Sequence, residues 1–201
     1  MVSVGGDGTV LKAGLLASNY QKDLLGINIG RLGFLCTINF EDLKKITLDS
    51  FTTLKRTNRT ILSLDYQNQN YQALNDISIL KANPGRTIEL EVYINNEFSF
   101  YTRGDGLIVA TPTGSTAYTY SAGGPIVKTN VKAFVLTPIG PHTADSKPVV
   151  VNDEDEIEIR IKNPQSGSAI ILSDGDNLGT FNDQIIIKKS KNKFVTFNKV
   201  N

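Results

Sequence analysis

The chain has 201 residues, 40% of them hydrophobic and 20% charged, with a formal net charge of +1. That length allows one large domain or two small ones with a real core, and the near-neutral charge excludes a broad electrostatic pull toward nucleic acid or a membrane surface. The single cysteine, Cys36, cannot form an internal disulfide, no leader-like segment precedes the first motif, and no apolar run is long enough to span a bilayer, so a soluble, cytoplasmic protein is expected.

In chain order, residues 2–4 read as the end of a buried strand and residues 10–17 as a helix. Between them lies Gly5-Gly6-Asp7-Gly8-Thr9. A strand turning sharply into a helix presents free N–H groups and the positive end of the helix dipole, which suits a phosphate. Thr9 is expected to cap the helix. Asp7 is an odd neighbour for phosphates unless it accepts a proton or helps hold a metal ion; the plainer reading is an ordinary βα turn with Asp7 as a cap. Residues 24–29 read as a parallel strand, Gly30-Arg31-Leu32-Gly33-Phe34 as a second glycine-punctuated loop, and residues 41–46 as a short helix. The alternation implies a small α/β domain over residues 1–54. Because its first strand begins at Met1, either its sheet is small, or a partner chain completes it, or the chain is clipped.

From residue 55 to 201 the pattern is that of an antiparallel β-rich domain, giving an α+β protein overall, although the last strands could return to the first domain. Residues 59–66 are β-rich. Ile88, Leu90, Val92 and Ile94 alternate with polar neighbours, Asn95-Asn96 makes a turn, and residues 98–101 return as a hairpin. Further strands are expected at 133–137, 157–161, 169–172, 185–188 and 193–197. The acidic run 153–156 reads as a solvated turn. One stretch breaks the β pattern: a buried strand at 107–110 runs into Thr111-Pro112-Thr113-Gly114-Ser115-Thr116-Ala117-Tyr118, then a short helix stopped by Gly123-Gly124-Pro125. Two strand–loop–helix devices rich in hydroxyls and N–H groups suggest a ligand with two polar regions. No His/Cys cluster has metal-ligand spacing, and His142 reads as structural.

These motifs, in this order, resemble the NAD kinase family: Gly5-Gly6-Asp7-Gly8-Thr9, Gly26-Ile27-Asn28, Gly30 to Leu35, Leu74-Asn75-Asp76, Gly104-Asp105-Gly106, Thr111 to Tyr118, and Pro138 to His142. The Thr111–Tyr118 stretch is the specific one; the opening motif is shared with lipid kinases. The resemblance implies phosphoryl transfer from ATP, or another phosphate donor, to the adenosine ribose 2′-hydroxyl of NAD, with Mg²⁺ bound alongside the nucleotide, in a homo-oligomer. It implies that Asp7 is the general base, that Gly8 and Lys12 contact ligand, and that Asn75 and Asp76 hold NAD. By the same resemblance Arg86 and Arg103 make polar contacts, Asp105 lies beside the adenine part, and Phe34 is an apolar wall. Thr116, Ala117, Tyr118, Thr119, Tyr120 and Ser121 would enclose the adenosine, and Gly140 stands where a small residue is usual. The chain departs from the family pattern at Asp76 (usually Glu), Arg31 (commonly His) and Asp176 (commonly Gln), and it lacks the strand and helix that precede the glycine motif. A non-enzymatic NAD(P)-binding protein and a lipid kinase are the alternatives.

Overall fold

The structure is a computed structural model and describes residues 1–30, 33, 35–45, 54–142, 146–163 and 167–198. The chain divides into two units: residues 1–59 with 191–201, and residues 60–190.

In the first unit, β1 (Val2–Val4), α1 (Asp7–Asn19) and β2 (Leu25–Asn28) form a β–α–β element, and β3 (Ile38–Asn39) extends the parallel sheet in the order β1-β2-β3. A 3-10 helix, Phe40–Lys45, follows. β4 (Lys55–Arg59) pairs antiparallel with the last strand of the chain, β17 (Phe194–Asn198). Helix α1 buries Val10, Gly14, Ala17 and Ser18. A Cβ on Gly26 of β2 would stand 3.1 Å from a Val10 methyl, so the helix lies close on the sheet. Helix α1 starts earlier than its apolar spacing implies. Gly6 is the N-cap, with no side-chain cap bond, and Asp7 is already helical. Thr9 is therefore not the cap. Its N–H donates to the Gly6 carbonyl, and its side chain fills the space where a Gly5 Cβ would stand, 2.4 Å from Oγ1.

The second unit is a sandwich of two six-stranded sheets, β12-β11-β10-β7-β14-β15 and β6-β5-β16-β13-β8-β9. Its strands are β5 (Leu62–Tyr66), β6 (Gln69–Ala73), β7 (Asp76–Lys81), β8 (Ile88–Ile94), β9 (Glu97–Gly104), β10 (Gly106–Ala110), β11 (Ala133–Ile139), β12 (Val149–Asn152), β13 (Ile157–Ile161), β14 (Ala169–Ser173), β15 (Asp176–Phe181) and β16 (Gln184–Lys189). Alternate side chains point inward, as the strand period demands. Ile77 and Ile79, Ile88, Leu90 and Val92, Leu107 and Val109, Phe134 and Leu136, and Ile157, Ile159 and Ile161 form one buried core. The β-rich run at 59–66 is two strands, β4 and β5, in different units.

The acidic run at 153–156 is a turn before β13 with Glu154 exposed, and Asp153 alone departs from the solvated reading. Asp153 is 1% exposed and pairs with Lys189 at 2.9 Å, because β16 brings that ammonium over the turn before β13.

Truncating Phe134, fully buried in the sandwich core, to alanine should destabilise the protein by about 3–5 kcal/mol. Ile126→Ala, at a largely exposed side chain, should change stability by less than about 0.5 kcal/mol. Urea denaturation midpoints for the two variants check both values.

Candidate functional site

In the first unit the site residues gather at the start of α1. Gly6 and Gly8 have open space where a Cβ would stand, so no packing within the protein requires glycine there. They leave the first turn of α1 approachable, where N–H groups and the helix dipole favour an anion. Lys12, four residues after Gly8 on the helix, is exposed and shares that face by helical spacing. Asp7 points away from its own helix: its Oδ1 accepts the Leu35 N–H at 3.1 Å, and a Cβ on Gly33 would fall 2.1 Å from it. Glycine at 33 thus makes room for the Asp7 carboxylate. Phe34 and Arg31 lie outside the described residues.

Two neighbours of Asp7 escaped sequence reasoning. The Cys36 thiol donates to the Gly5 carbonyl at 3.5 Å, and its pKa is pushed up by burial first, then by the Asp7 charge and a hydrogen bond to Asp7. A thiol held protonated in this way is a poor nucleophile. Arg59, the last residue of β4, is buried and donates from Nε to the Thr196 hydroxyl at 2.9 Å. Burial lowers its pKa, and the Asp7 charge partly restores it. Neither stands in a motif; β-pairing and the loop before β3 bring them near Asp7, which no sequence spacing announces.

In the second unit the residues form two groups at opposite ends of β7 and β10. At the first end, Asn75 immediately precedes β7 and Asp76 opens it, opposite Ala110, the last residue of β10. The loop after β10 returns onto them: the Thr111 N–H donates to the Asn75 carbonyl at 2.8 Å, and the Thr111 hydroxyl donates to the Leu74 carbonyl. Gly114 opens a 3-10 turn, Gly114–Thr116, and lies so close to Asn75 that a Cβ would stand 2.1 Å from its carbonyl oxygen. The Ser115 hydroxyl donates to the Pro112 carbonyl at 2.7 Å and accepts the Val127 N–H at 3.0 Å, closing the loop. After Ala117 comes the four-residue helix α2 (Tyr118–Ser121). Within it Thr119 is buried, whereas Tyr118, Tyr120 and Ser121 are exposed. Tyr118 is therefore not a core residue.

At the other end, about 14 Å away by four steps of ~3.4 Å along β10, Asp105 forms an ion pair with Lys81 at 2.6 Å. Gly140, at φ +51°, sits against the Asp105 carboxylate. Arg103 is exposed and donates to the Thr87 hydroxyl at 3.0 Å; Arg86 is exposed in the turn before β8. The structure does not bring this second group to Asn75. Asp176, the first residue of β15, is exposed and pairs across from Ser173.

Asp76 is the most perturbed carboxyl of the site. It is 7% exposed, and burial pushes its pKa up to about 6; the Ser78 hydroxyl, donating at 2.6 Å, pulls it down, and the nearby Asp174 charge pushes it further up. Such a group changes charge within the range where binding and proton chemistry operate.

A glycine turn at a helix N-terminus is a feature of proteins that bind phosphate groups. Family models narrow the class. The ATP-NAD kinase N-terminal domain matches residues 1–53 and the ATP-NAD kinase C-terminal domain matches residues 74–199, so the chain belongs to the ATP-NAD kinase family. It is similar to an NAD kinase of Hydrogenovibrio crunogenus, 42% identical over 87% of this chain and 62% of that one. It is also similar to an NAD kinase of Caldanaerobacter subterraneus, 37% identical over 100% of this chain and 73% of that one. Yeast NADH kinase, solved complexed with NADH, matches at a TM-score of 0.86 and 31% identity, covering 99% of this chain and 61% of that chain. An NAD kinase from Archaeoglobus fulgidus, solved in complex with ATP, matches at 0.79 and 33%, covering 98% and 77%. The chain thus spans about three fifths of the length of the Hydrogenovibrio relative. Among the described residues no helix is long and apolar enough to cross a membrane.

The raised Asp76 pKa sets the sign of a stability change. The carboxyl titrates near 3.8 when unfolded and near 6 when folded, so its contribution is whole below pH 4 and is lost as pH rises through 6. Asp76→Asn keeps an acceptor for Ser78 and removes the buried charge. It should raise stability at pH 7–8 by on the order of 2 kcal/mol, the gain fading toward pH 4. Urea melts from pH 4 to 8 measure it; a pH-independent difference contradicts the assignment.

Proposed function

We propose that the chain is an NAD kinase, transferring a phosphoryl group from ATP, or another phosphate donor, to the adenosine ribose 2′-hydroxyl of NAD to give NADP. The observation that carries the reading is Asp7: a carboxylate in an open glycine turn at a helix N-terminus, in a chain of the ATP-NAD kinase family. A carboxylate opposes phosphate binding unless it accepts a proton or helps hold a metal ion, and the family reading gives it the proton. That one similar protein was solved with NADH and another with ATP supports a nicotinamide dinucleotide and ATP as the ligands.

In the reaction the ribose 2′-oxygen attacks the γ-phosphorus. The new O–P bond forms as the bond to the bridging oxygen breaks, ADP leaves, and the hydroxyl proton passes to Asp7. Catalysis of this kind is mostly positioning and charge neutralisation. The backbone of Gly5 to Thr9, with Gly8 and Lys12, cradles the donor phosphates. Asn75 and Asp76 hold NAD by polar contacts, Thr116 to Ser121 enclose the adenosine, and Phe34 is an apolar wall. Arg86, Arg103, Asp105, Gly140 and Asp176 complete the contacts. Among the described residues no three His, Cys, Asp or Glu side chains converge as ligands, and Mg²⁺ is assigned to the nucleotide substrate, whose phosphate charge it offsets. A homo-oligomer is part of the same reading, carried by the family to which the chain belongs.

Incubation with NAD and Mg²⁺-ATP should yield NADP, read by an NADP-specific dehydrogenase. A folded sample that binds NAD and makes no NADP with any donor is a binding protein instead. Asp7→Asn should lower kcat by roughly 10²–10⁴-fold and leave the NAD Kd within a few-fold, whereas Asn75→Ala should mainly weaken NAD binding. If Asp7→Asn retains more than about a tenth of wild-type kcat, the carboxylate serves only to brace the Leu35 N–H.

A further inference from the structure

The Leu74-Asn75-Asp76 turn is held from the amide side by one carboxylate a hundred residues later. Asp174 Oδ2 accepts the Leu74 N–H at 2.8 Å, and Oδ1 accepts those of Asn75 at 2.7 Å and Asp76 at 3.2 Å. The Asp174 N–H donates back to the Asp76 carbonyl at 3.0 Å. The Leu74 and Asn75 carbonyls go to Thr111, and Gly114 packs on Asn75. Each N–H of the three-residue turn thus ends on Asp174, and its first two carbonyls end on the loop after β10.

Closing the β14–β15 hairpin does not require this carboxylate. Asp174 and Gly175 are its two central residues, at φ +47° and +88°, a turn that Asn-Gly or Gly-Gly closes equally well. The carboxylate is kept there against opposition. Burial raises its pKa first, the three N–H groups pull it down, and Asp176 pushes it up again; Asp76 is a further carboxyl close by. Three convergent N–H groups form a nest that an anion fills and a neutral side chain fills poorly.

We propose that Asp174 is a positioning residue for NAD: it fixes the backbone from which the Asn75 and Asp76 side chains reach the ligand. This rests on the reading above that those two side chains contact NAD. Asp176, two residues on, is exposed and accepts none of these N–H groups, so the positioning task belongs to the first aspartate of Asp174-Gly175-Asp176.

The test uses Asp174→Asn and Asp174→Gly, both of which tolerate positive φ, in the full chain. Three quantities are measured: hydrogen exchange of the amides of residues 74–76 without ligand, NAD Kd by calorimetry, and the KM values for NAD and ATP. Exchange should quicken, NAD Kd and KM should rise about tenfold, as loss of charged hydrogen bonds worth about 1.4 kcal/mol implies, and ATP KM should stay within about twofold. In an Asn75→Ala background Asp174→Gly should raise NAD Kd by clearly less than about tenfold, because one of the two side chains it positions is gone. Equal losses in both backgrounds, a fall in kcat with both KM values unchanged, or failure of both variants to fold would each overturn the proposal and make Asp174 merely structural. Quickened exchange with unchanged NAD affinity overturns it as well. A wild-type protein that neither binds nor phosphorylates NAD instead overturns the functional reading, whatever the exchange rates are.

Discussion

The sandwich of residues 60–190 depends on one constraint: two six-stranded sheets bury every second side chain of their facing strands against each other. A slip of one residue in any strand would turn its apolar set outward, so register is fixed strongly. That fixed register puts Asp76 opposite Ala110 at one end of β7 and β10, and Leu80 opposite Gly106 at the other. The polar residues of the site stand at strand ends because the strand middles are committed to the core.

Strand ends leave backbone groups that the ladders no longer pair, and buried ones must find partners. The two groups in this unit solve that requirement differently. Around Asn75 the partners are Asp174, Thr111 and a glycine with no Cβ to intervene. Around Asp105 the Lys81 ammonium neutralises the carboxylate, and the Gly104 backbone is hemmed in by the carbonyls of Ile139 and Gly140. The first arrangement fixes a backbone, and the second fixes a charge. Asp76 carries the tension: its carboxyl is kept where burial disfavours its charge, so part of the stability available at neutral pH is given up.

In the first unit the glycine turn divides the work among its residues. Gly5 is glycine for an internal reason, the Thr9 side chain, while Gly6 and Gly8 face open space. Asp7 connects the turn to the loop before β3 through Leu35 and lies within the electrostatic reach of Arg59. β4 and β17 hold that arginine, so residues from the chain's end complete the surroundings of a residue near its start.

Much of this was legible in the sequence. The period-2 runs at 88–94 and 157–161, the Asn95-Asn96 turn and the buried run before Thr111 follow from local chemistry, since side-chain alternation and turn residues act over a few positions. The glycine motif and the Thr111–Tyr118 stretch pointed to the family for the same reason: each is a contiguous string whose residues must be adjacent to work. Strands β3, β6, β7, β12 and β15 have no clear sequence signature, being short, partly polar or edge strands whose pairing is set by neighbours elsewhere in the chain. Tertiary structure alone decided that Asp153 is buried against Lys189, that Arg59 and Cys36 stand near Asp7, and that Asp174 rather than Asp176 braces Asn75. In each case the partners are separated by tens to about a hundred residues, and only the folded sheets bring them within hydrogen-bonding or electrostatic range.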